Sequence, residues 1–146
     1  MTTPTRPTVP EVLGEQSVLL DVPASNRSLR LIRLAAADAA TDLGFDVDSV
    51  ESARIAVDEL AALLFDTGDW ARLVLRFERD DGVLRVIGLV SGLRGDPRPL
   101  QVDRVVQDLL STCVLDHQVD NGGQSEGPLA AEGPWFTCSI GRRPDR

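Results

Sequence analysis

The stretch that decides the fold is residues 48–65, DSVESARIAVDELAALLF. Its apolar residues recur at steps of three and four, which is the spacing of a single buried stripe along an α-helix. They are Val50, Ala53, Val57, Leu60 and Leu64. Asp48 followed three positions later by Glu51 matches a capping box, so we predict that the helix begins at Asp48. On the polar side, Arg54 stands four positions before Asp58 and is predicted to pair with it.

Glu59 belongs to neither face of this helix. At about 100° per residue, it lies at the margin beside Ile55 and Leu63 rather than among the charged residues. A carboxylate at an apolar margin is either a surface group that reaches water or the chemical centre of a pocket. The spacing alone leaves both interpretations open.

Length and composition are those of one soluble globular domain. The chain has 146 residues and a formal net charge of −8, which disfavours binding to nucleic acid and suits a basic protein partner. Residues 1–16 hold three prolines, four threonines and no continuous apolar segment, so we expect a disordered leader without a secretory signal. A single domain is expected over residues 17–143. No apolar run approaches the roughly 20 residues that span a bilayer, and we expect a cytoplasmic protein without membrane contact.

Outward from the central helix, hydrophobic patterns predict the remaining elements. Strands are predicted over residues 17–22, 71–78, 83–90, 114–119 and 135–140, and further helices over residues 26–43 and 100–113. Gly44 is expected to end the first helix, and Asp80-Asp81-Gly82 is a hairpin turn signal. Three helices on one face of a mixed sheet of about five strands would bury these stripes. The predicted fold class is therefore α/β, as an α+β two-layer sandwich.

Three arginines mark the first predicted helix. Arg27, Arg30 and Arg33 stand three apart on its exposed side, as a local positive stripe in an acidic protein. Such a stripe is either a solvated face or a docking surface for an acidic patch on a partner protein, because arginine pairs well with carboxylates.

The other sequence motifs give little indication of a phosphate, metal or redox site. The glycine-rich tetrad at residues 120–123 does not lead directly into a helix, so turn formation explains it better than phosphate binding. His117 is the only histidine, without a second ligand at a spacing suited to zinc, and we expect no metal site. Cys113 and Cys138 are too few for a disulfide framework, and are either inert thiols or a redox pair.

Three stretches together resemble the bacterial anti-sigma factor and serine-kinase branch of the GHKL ATPase superfamily. They are Leu19–Ser25, the Leu-Ile-Arg-Leu sequence that contains Arg33, and above all Ala-Arg-Ile-Ala-Val-Asp-Glu-Leu at residues 53–60. The resemblance covers about residues 17–143 and implies the histidine-kinase-like ATPase (Bergerat) fold. It also implies a homodimer that binds a sigma factor and is released by a STAS-type anti-anti-sigma factor through partner switching.

The same resemblance implies that the nucleotide site is degenerate. In the family, the glutamate that Glu59 matches acts near the nucleotide phosphates, and an asparagine four residues later helps to hold magnesium; here that position is Leu63. No aspartate stands in Val86–Gly95 where the family reads adenine, and Pro97-Arg98-Pro99 replaces the glycine-rich lid. We therefore expect no cofactor, neither ATP nor Mg²⁺.

These observations lead to one main hypothesis and two alternatives. The main hypothesis is an anti-sigma factor without enzymatic activity, which sequesters a stress- or sporulation-type sigma factor through Arg27, Arg30 and Arg33. The first alternative is an active ATP-dependent serine-protein kinase that phosphorylates its anti-anti-sigma antagonist, with Glu59 as catalytic base. The second is a redox-responsive protein-binding adaptor that uses Cys113 and Cys138.

Overall fold

A computed structural model of the chain describes residues 17–120 and 133–142. The strands are β1 (Ser17–Pro23), β2 (Asp69–Asp80), β3 (Val83–Arg94), β4 (Asp116–Asp120) and β5 (Trp135–Gly141). The α-helices are α1 (Leu29–Asp42), α2 (Val47–Phe65) and α3 (Arg104–Cys113), and a short 3₁₀ turn at Asn26–Ser28 leads into α1. The predicted leader at residues 1–16 lies outside the described residues, as does most of the glycine-rich tetrad.

The five strands form one sheet in the order β1-β2-β3-β5-β4, and every neighbouring pair is antiparallel. The predicted two-layer sandwich of five strands and three helices is confirmed, whereas the expectation of a mixed sheet is wrong. The reason is the α1–α2 hairpin, which returns the chain to the end of the sheet where β1 finishes. Pro23 at the end of β1 lies opposite Arg72 near the start of β2, so β2 must run back along β1.

The β2–β3 hairpin is the longest pairing in the sheet, and its turn fixes its register. Asp81 and Gly82 both have positive φ, 50° and 76°, as a two-residue type I′ turn requires. Pairing then continues without interruption of the register from Asp80 opposite Val83 to Asp69 opposite Arg94. The turn is confirmed, and both strands extend beyond the predicted ranges.

The first helix ends as the sequence predicts. Gly44 has a φ of 77°, and its N–H donates to the carbonyl of Thr41 at 2.9 Å. The N–H of Phe45 donates to the carbonyl of Ala40 at 3.2 Å, which completes a Schellman motif. This sharp end allows α2 to begin almost at once and to pack back against α1.

The other two helices begin at residues that the sequence analysis did not choose. Asp46 caps α2, because its Oδ1 accepts from the N–H of Ser49 at 2.8 Å, so the predicted capping box from Asp48 to Glu51 is wrong. Asp103 caps α3 in the same way, accepting from the N–H of Val106 at 2.8 Å. The third helix therefore begins at Arg104 and not at residue 100.

The hydrophobic core lies between the helices and the sheet. The predicted stripe of α2 faces it, with Ala53, Val57, Leu60 and Leu64 fully buried. On the sheet side, Phe136 of β5 lies opposite Gly88 of β3 and is also fully buried. A Cβ added to Gly88 would come within 2.3 Å of the Phe136 ring, so the absence of a side chain at Gly88 makes room for that ring.

None of the described helices combines the length and the apolar character that crossing a membrane would require.

Replacing Gly88 with alanine is expected to destabilise the protein by about 1–3 kcal/mol, because the added methyl group forces the buried Phe136 ring to move. Urea unfolding of the variant and the parent protein would measure the change. Ser91→Ala, at an exposed position of the same strand, is the matched control and should leave stability within about 0.5 kcal/mol. A Gly88→Ala variant as stable as the parent would contradict this packing.

Candidate functional site

The central helix α2 places Glu59 and Leu63 one turn apart near its carboxyl end. Glu59 is half-buried, whereas Leu63 is only 9% exposed and belongs to the hydrophobic core. A buried leucine offers no oxygen ligand to a hard cation such as Mg²⁺. Among residues 17–120 and 133–142, no group of three or more His, Cys, Asp or Glu side chains is placed to hold a metal ion.

Pairing of charges on α2 differs from the predicted pattern. Arg54 donates to Glu51 at 3.2 Å, and the predicted pair with Asp58 does not form. Asp58 instead accepts from Arg33 of α1, with Nη1 and Oδ1 3.1 Å apart. The Arg33 side chain is 41% exposed and that of Asp58 is 23% exposed, so this contact ties the two helices together at the edge of their interface. Arg33 and Asp58 are 25 positions apart in the sequence, so helical spacing alone cannot predict their contact.

No loop interrupts β3 in the stretch where the family resemblance implies an adenine-reading motif. Residues 86–94 remain strand, in register with β2 to its first residue. Gly92 and Gly95 both have positive φ, 73° and 77°. A Cβ on Gly92 would lie 2.7 Å from the Cβ of Ala71, so Gly92 serves close packing within the hairpin.

The segment before α3 is fastened to the carboxyl end of α2. The N–H of Arg98 donates to the carbonyl of Thr67 at 2.6 Å, and its Nε donates to the carbonyl of Asp66 at 2.9 Å. Residues 97–101, which we call the strap, therefore lie across the end of the helix. A cavity of about 300 Å³ remains beneath it, lined by Leu63, Asp66, Arg98, Pro99 and Gln101.

Trp70 stiffens the turn that carries these carbonyl groups. Its Nε1 donates to the hydroxyl of Thr67 at 2.9 Å, and that hydroxyl donates to the carbonyl of Leu64 at 2.6 Å. Trp70 is 5% exposed, and a Cβ on Gly133 would come within 2.5 Å of its ring. Sequence reasoning missed both Trp70 and Arg98, because their partners are backbone carbonyls and a turn hydroxyl.

The residues present do not match the donor set that ATP and Mg²⁺ require. Leu63 stands where the family resemblance implies a metal ligand, β3 continues where that resemblance implies an adenine-reading motif, and Arg98 holds the strap by hydrogen bonds to the turn that follows α2. Phosphoryl transfer depends on positioning the nucleotide and neutralising its charge. Glu59 alone supplies neither.

The outward side of α1 presents a different kind of surface. Arg27 and Arg30 are exposed, and neither forms an ion pair with the part of the chain that the structure describes. Between and beyond them, Leu31 is 49% exposed and Leu34 is 55% exposed. Arg33 turns aside to Asp58, so the three arginines do not form one uniform face. We call Arg27, Arg30, Leu31 and Leu34 the α1 face.

The leucines of the α1 face are residues that sequence reasoning missed. Apolar residues in an amphipathic helix are assigned to the core by default, and only burial shows that Leu31 and Leu34 point outward. Two large apolar side chains stand beside two arginines that have no ion-pair partner within residues 17–120 and 133–142. Protein interfaces favour this composition, with an apolar centre and charged groups at the rim.

The charges along α1 run against the helix dipole. Its first turn has no acidic residue and its last turn no basic residue. Arg27 and Arg30 flank the amino end, and Asp38 and Asp42 lie near the carboxyl end. Each such charge costs an exposed helix about 0.3–1 kcal/mol. Helix stability does not explain this order, and Asp42 is instead held by an ion pair with Arg79 of β2.

The two cysteines and the histidine that the sequence analysis considered do not form a candidate site among the described residues. Burial, and then the charge of Asp116, raises the pKa of the Cys138 thiol to about 12. At pH 7 this leaves roughly one thiol in 10⁵ as the reactive thiolate. Neither Cys138 nor Cys113 forms a disulfide with another described residue, and no metal-ligating group forms around His117 in that part of the chain.

Comparison with solved structures defines the class of fold. The chain is similar to the RsbU and RsbW domains of Rv1364c from Mycobacterium tuberculosis, with a TM-score of 0.60 and 16% sequence identity over 89% of this chain and 34% of that chain. Its antiparallel sheet and three helices form an α+β two-layer sandwich, and this fold is similar to the fold of that structure. The chain spans about a third of that protein's length. No protein-family model and no curated protein matches it.

Arg30→Glu is expected to stabilise the protein by about 0.3–1 kcal/mol, because it replaces a cation with an anion in the first turn of α1. Thermal and urea unfolding would measure the gain. Arg85→Glu makes the same change of charge outside any helix, opposite Glu78 on β2, and should give no such gain because it places two like charges across the strands. A loss of stability in Arg30→Glu would mean that Arg30 has a structural role in the free protein.

Proposed function

We propose that the chain is an anti-sigma factor that sequesters an alternative sigma factor through the α1 face. The observation that carries this proposal is that Arg27 and Arg30, which form no ion pair among the described residues, stand beside exposed Leu31 and Leu34 on the outward side of α1 and the turn before it. The RsbW-type fold and the resemblance around Ala53–Leu60 support the assignment to this class of regulator.

The chemistry of the α1 face sets requirements on the partner. An acidic sigma-factor surface would pair with Arg27 and Arg30, and its apolar residues would cover Leu31 and Leu34. Arg33 would contribute by a shared contact, since it is 41% exposed even while it is bound to Asp58. In this proposal, a STAS-type anti-anti-sigma factor competes for the same protein. The protein acts in the cytoplasm as a homodimer in a stress-response system.

In the same proposal, binding requires no nucleotide and the protein is not a kinase. The buried Leu63, the continuous strand β3 and the strap held by Arg98 support this view. The serine-kinase alternative would need Glu59 to act as base beside a bound ATP, and the buried Leu63 one turn later offers no oxygen to a metal ion. The redox alternative would need a reactive thiol, which the burial of Cys138 opposes.

The sigma-binding prediction is that triple charge reversal of Arg27, Arg30 and Arg33 to glutamate abolishes binding. The full chain is immobilised and the purified alternative sigma factors of the host are passed over it, with affinity read by biolayer interferometry. One of them should bind the parent protein, and the triple variant should bind at least 100-fold more weakly because three cations at the interface are reversed. Circular dichroism checks that the variant is folded.

Simultaneous reversal of Arg85, Arg94 and Arg104 to glutamate, at three exposed positions outside α1, is the matched control for net charge, and this variant should bind the sigma factor like the parent protein. Leu31→Ser with Leu34→Ser tests the apolar half of the α1 face without changing charge. Equal affinity of the triple variant and the parent would remove the α1 face from the proposal. Failure of every sigma factor to bind would remove the function itself.

The nucleotide prediction is that ATP with Mg²⁺, at up to millimolar concentration, leaves the unfolding temperature unchanged. A ligand present at 100 times its Kd would stabilise the folded chain by about 2.7 kcal/mol, which corresponds to several degrees in a domain of this size. Differential scanning fluorimetry measures the shift, with Mg²⁺ alone as the control. A shift of several degrees, or phosphate transfer to a STAS-type protein, would establish the kinase alternative instead.

A further inference from the structure

A small groove separates the carboxyl half of α1 from the edge of the sheet. Its volume is about 110 Å³, and its walls are apolar: Val18 of β1, Phe77 of β2, and Ala35 and Ala39 of α1. Val18 is 49% exposed at the rim, whereas Phe77 is almost completely buried at the floor. The groove is thus open to solvent and can take an aliphatic chain of a few carbon atoms.

The charged residues at the rim of the groove differ in whether they form ion pairs. Asp42 forms an ion pair with Arg79, so these two lining residues compensate each other. Asp38 is exposed and forms no ion pair within residues 17–120 and 133–142. One unpaired carboxylate therefore stands beside an apolar slot. A side chain with an aliphatic stem and a cationic end complements both features, as lysine does when its stem lies on apolar surface.

The groove continues the α1 face. Asp38 follows Leu34 by four residues and Leu31 by seven, so all three lie along one stripe of the helix. Arg30 and Asp38 are about 12 Å apart along the axis at 1.5 Å per residue. A docked surface therefore meets a cation at one end, leucines in the middle and a carboxylate at the other end. This order permits only one orientation of the partner.

We propose that the groove is a lysine-binding subsite at the far end of the α1 face. A lysine of the partner protein lays its stem between Val18, Ala35 and Ala39 and pairs its ammonium group with Asp38. The partner's acidic group meets Arg30. The identity of the partner rests on the proposed function, whereas the chemistry of the subsite does not.

Titration with a capped lysine tests the subsite without any partner protein. N-acetyl-lysine methylamide is added to the ¹⁵N-labelled full chain, and backbone amide shifts are followed by NMR. The shifts should concentrate at Val18, Ala35, Asp38 and Ala39. N-acetyl-norleucine methylamide keeps the stem without the charge and should bind at least fivefold more weakly. Asp38→Asn should remove this difference between the two ligands.

A second measurement tests the subsite in the complex. Asp38→Lys should weaken binding of the sigma factor identified above at least tenfold, and Asp108→Lys, which makes the same change on exposed α3, should not. If the α1 arginine variants lose the sigma factor but Asp38→Lys binds normally, the subsite is refuted and the proposed function stands. If no sigma factor binds, the lysine titration still decides the subsite.

Two further outcomes would overturn the proposal. Equal binding of the lysine and norleucine ligands, or shifts outside the groove, would show that Asp38 does not recognise a cation. A dimer that dissociates in Asp38→Lys, seen by sedimentation velocity, would show that the groove is instead covered by a second copy of the chain.

Discussion

The contact between α1 and α2 is the constraint on which the rest of the structure depends. Fully buried alanines on both helices, Ala36 and Ala40 on one and Ala53 and Ala56 on the other, allow their backbones to approach closely. The Schellman end of α1 sets the reversal between them. This close contact between the two helices fixes the rotation of α1 about its own axis. A defined set of α1 residues therefore faces outward.

The sequence predicts the elements of this fold better than their directions and ends. The apolar stripe of α2 is long and regular, so the sequence predicts this helix clearly. Its first residue is harder to predict, because Asp46 and Asp48 can both cap a helix and tertiary packing selects between them. The alternation of apolar and polar residues identifies a strand but does not determine the direction in which it runs. The sequence therefore does not predict that every strand pair is antiparallel. β3 extends to Arg94 despite the loop signal of Gly92, because Ser91, Leu93 and Arg94 pair with β2 on either side of it.

The candidate site likewise contains some residues that the sequence predicts and others that it does not. Arg27 and Arg30 could be found from spacing, since charge on a helix face is visible in the sequence. The partnership of Arg33 with Asp58 and the outward position of Leu31 and Leu34 depend on how two helices rotate against each other, which spacing does not determine. The α1 face therefore combines residues that pattern reveals with residues that only packing reveals, and its charge order opposes the stability of its own helix.

The strap has an evolutionary consequence. Arg98 is held partly through its own main-chain N–H, and the carbonyl groups that receive it belong to a turn stiffened by Trp70 and Thr67. A change of one side chain leaves the main-chain hydrogen bond in place. Under the proposed function, a nucleotide pocket would need rebuilding of the strap, a break in β3 and a polar group at Leu63 together. Each step taken singly would lower stability and yield no binding, so the loss of ATP chemistry in that proposal would be hard to reverse by stepwise mutation.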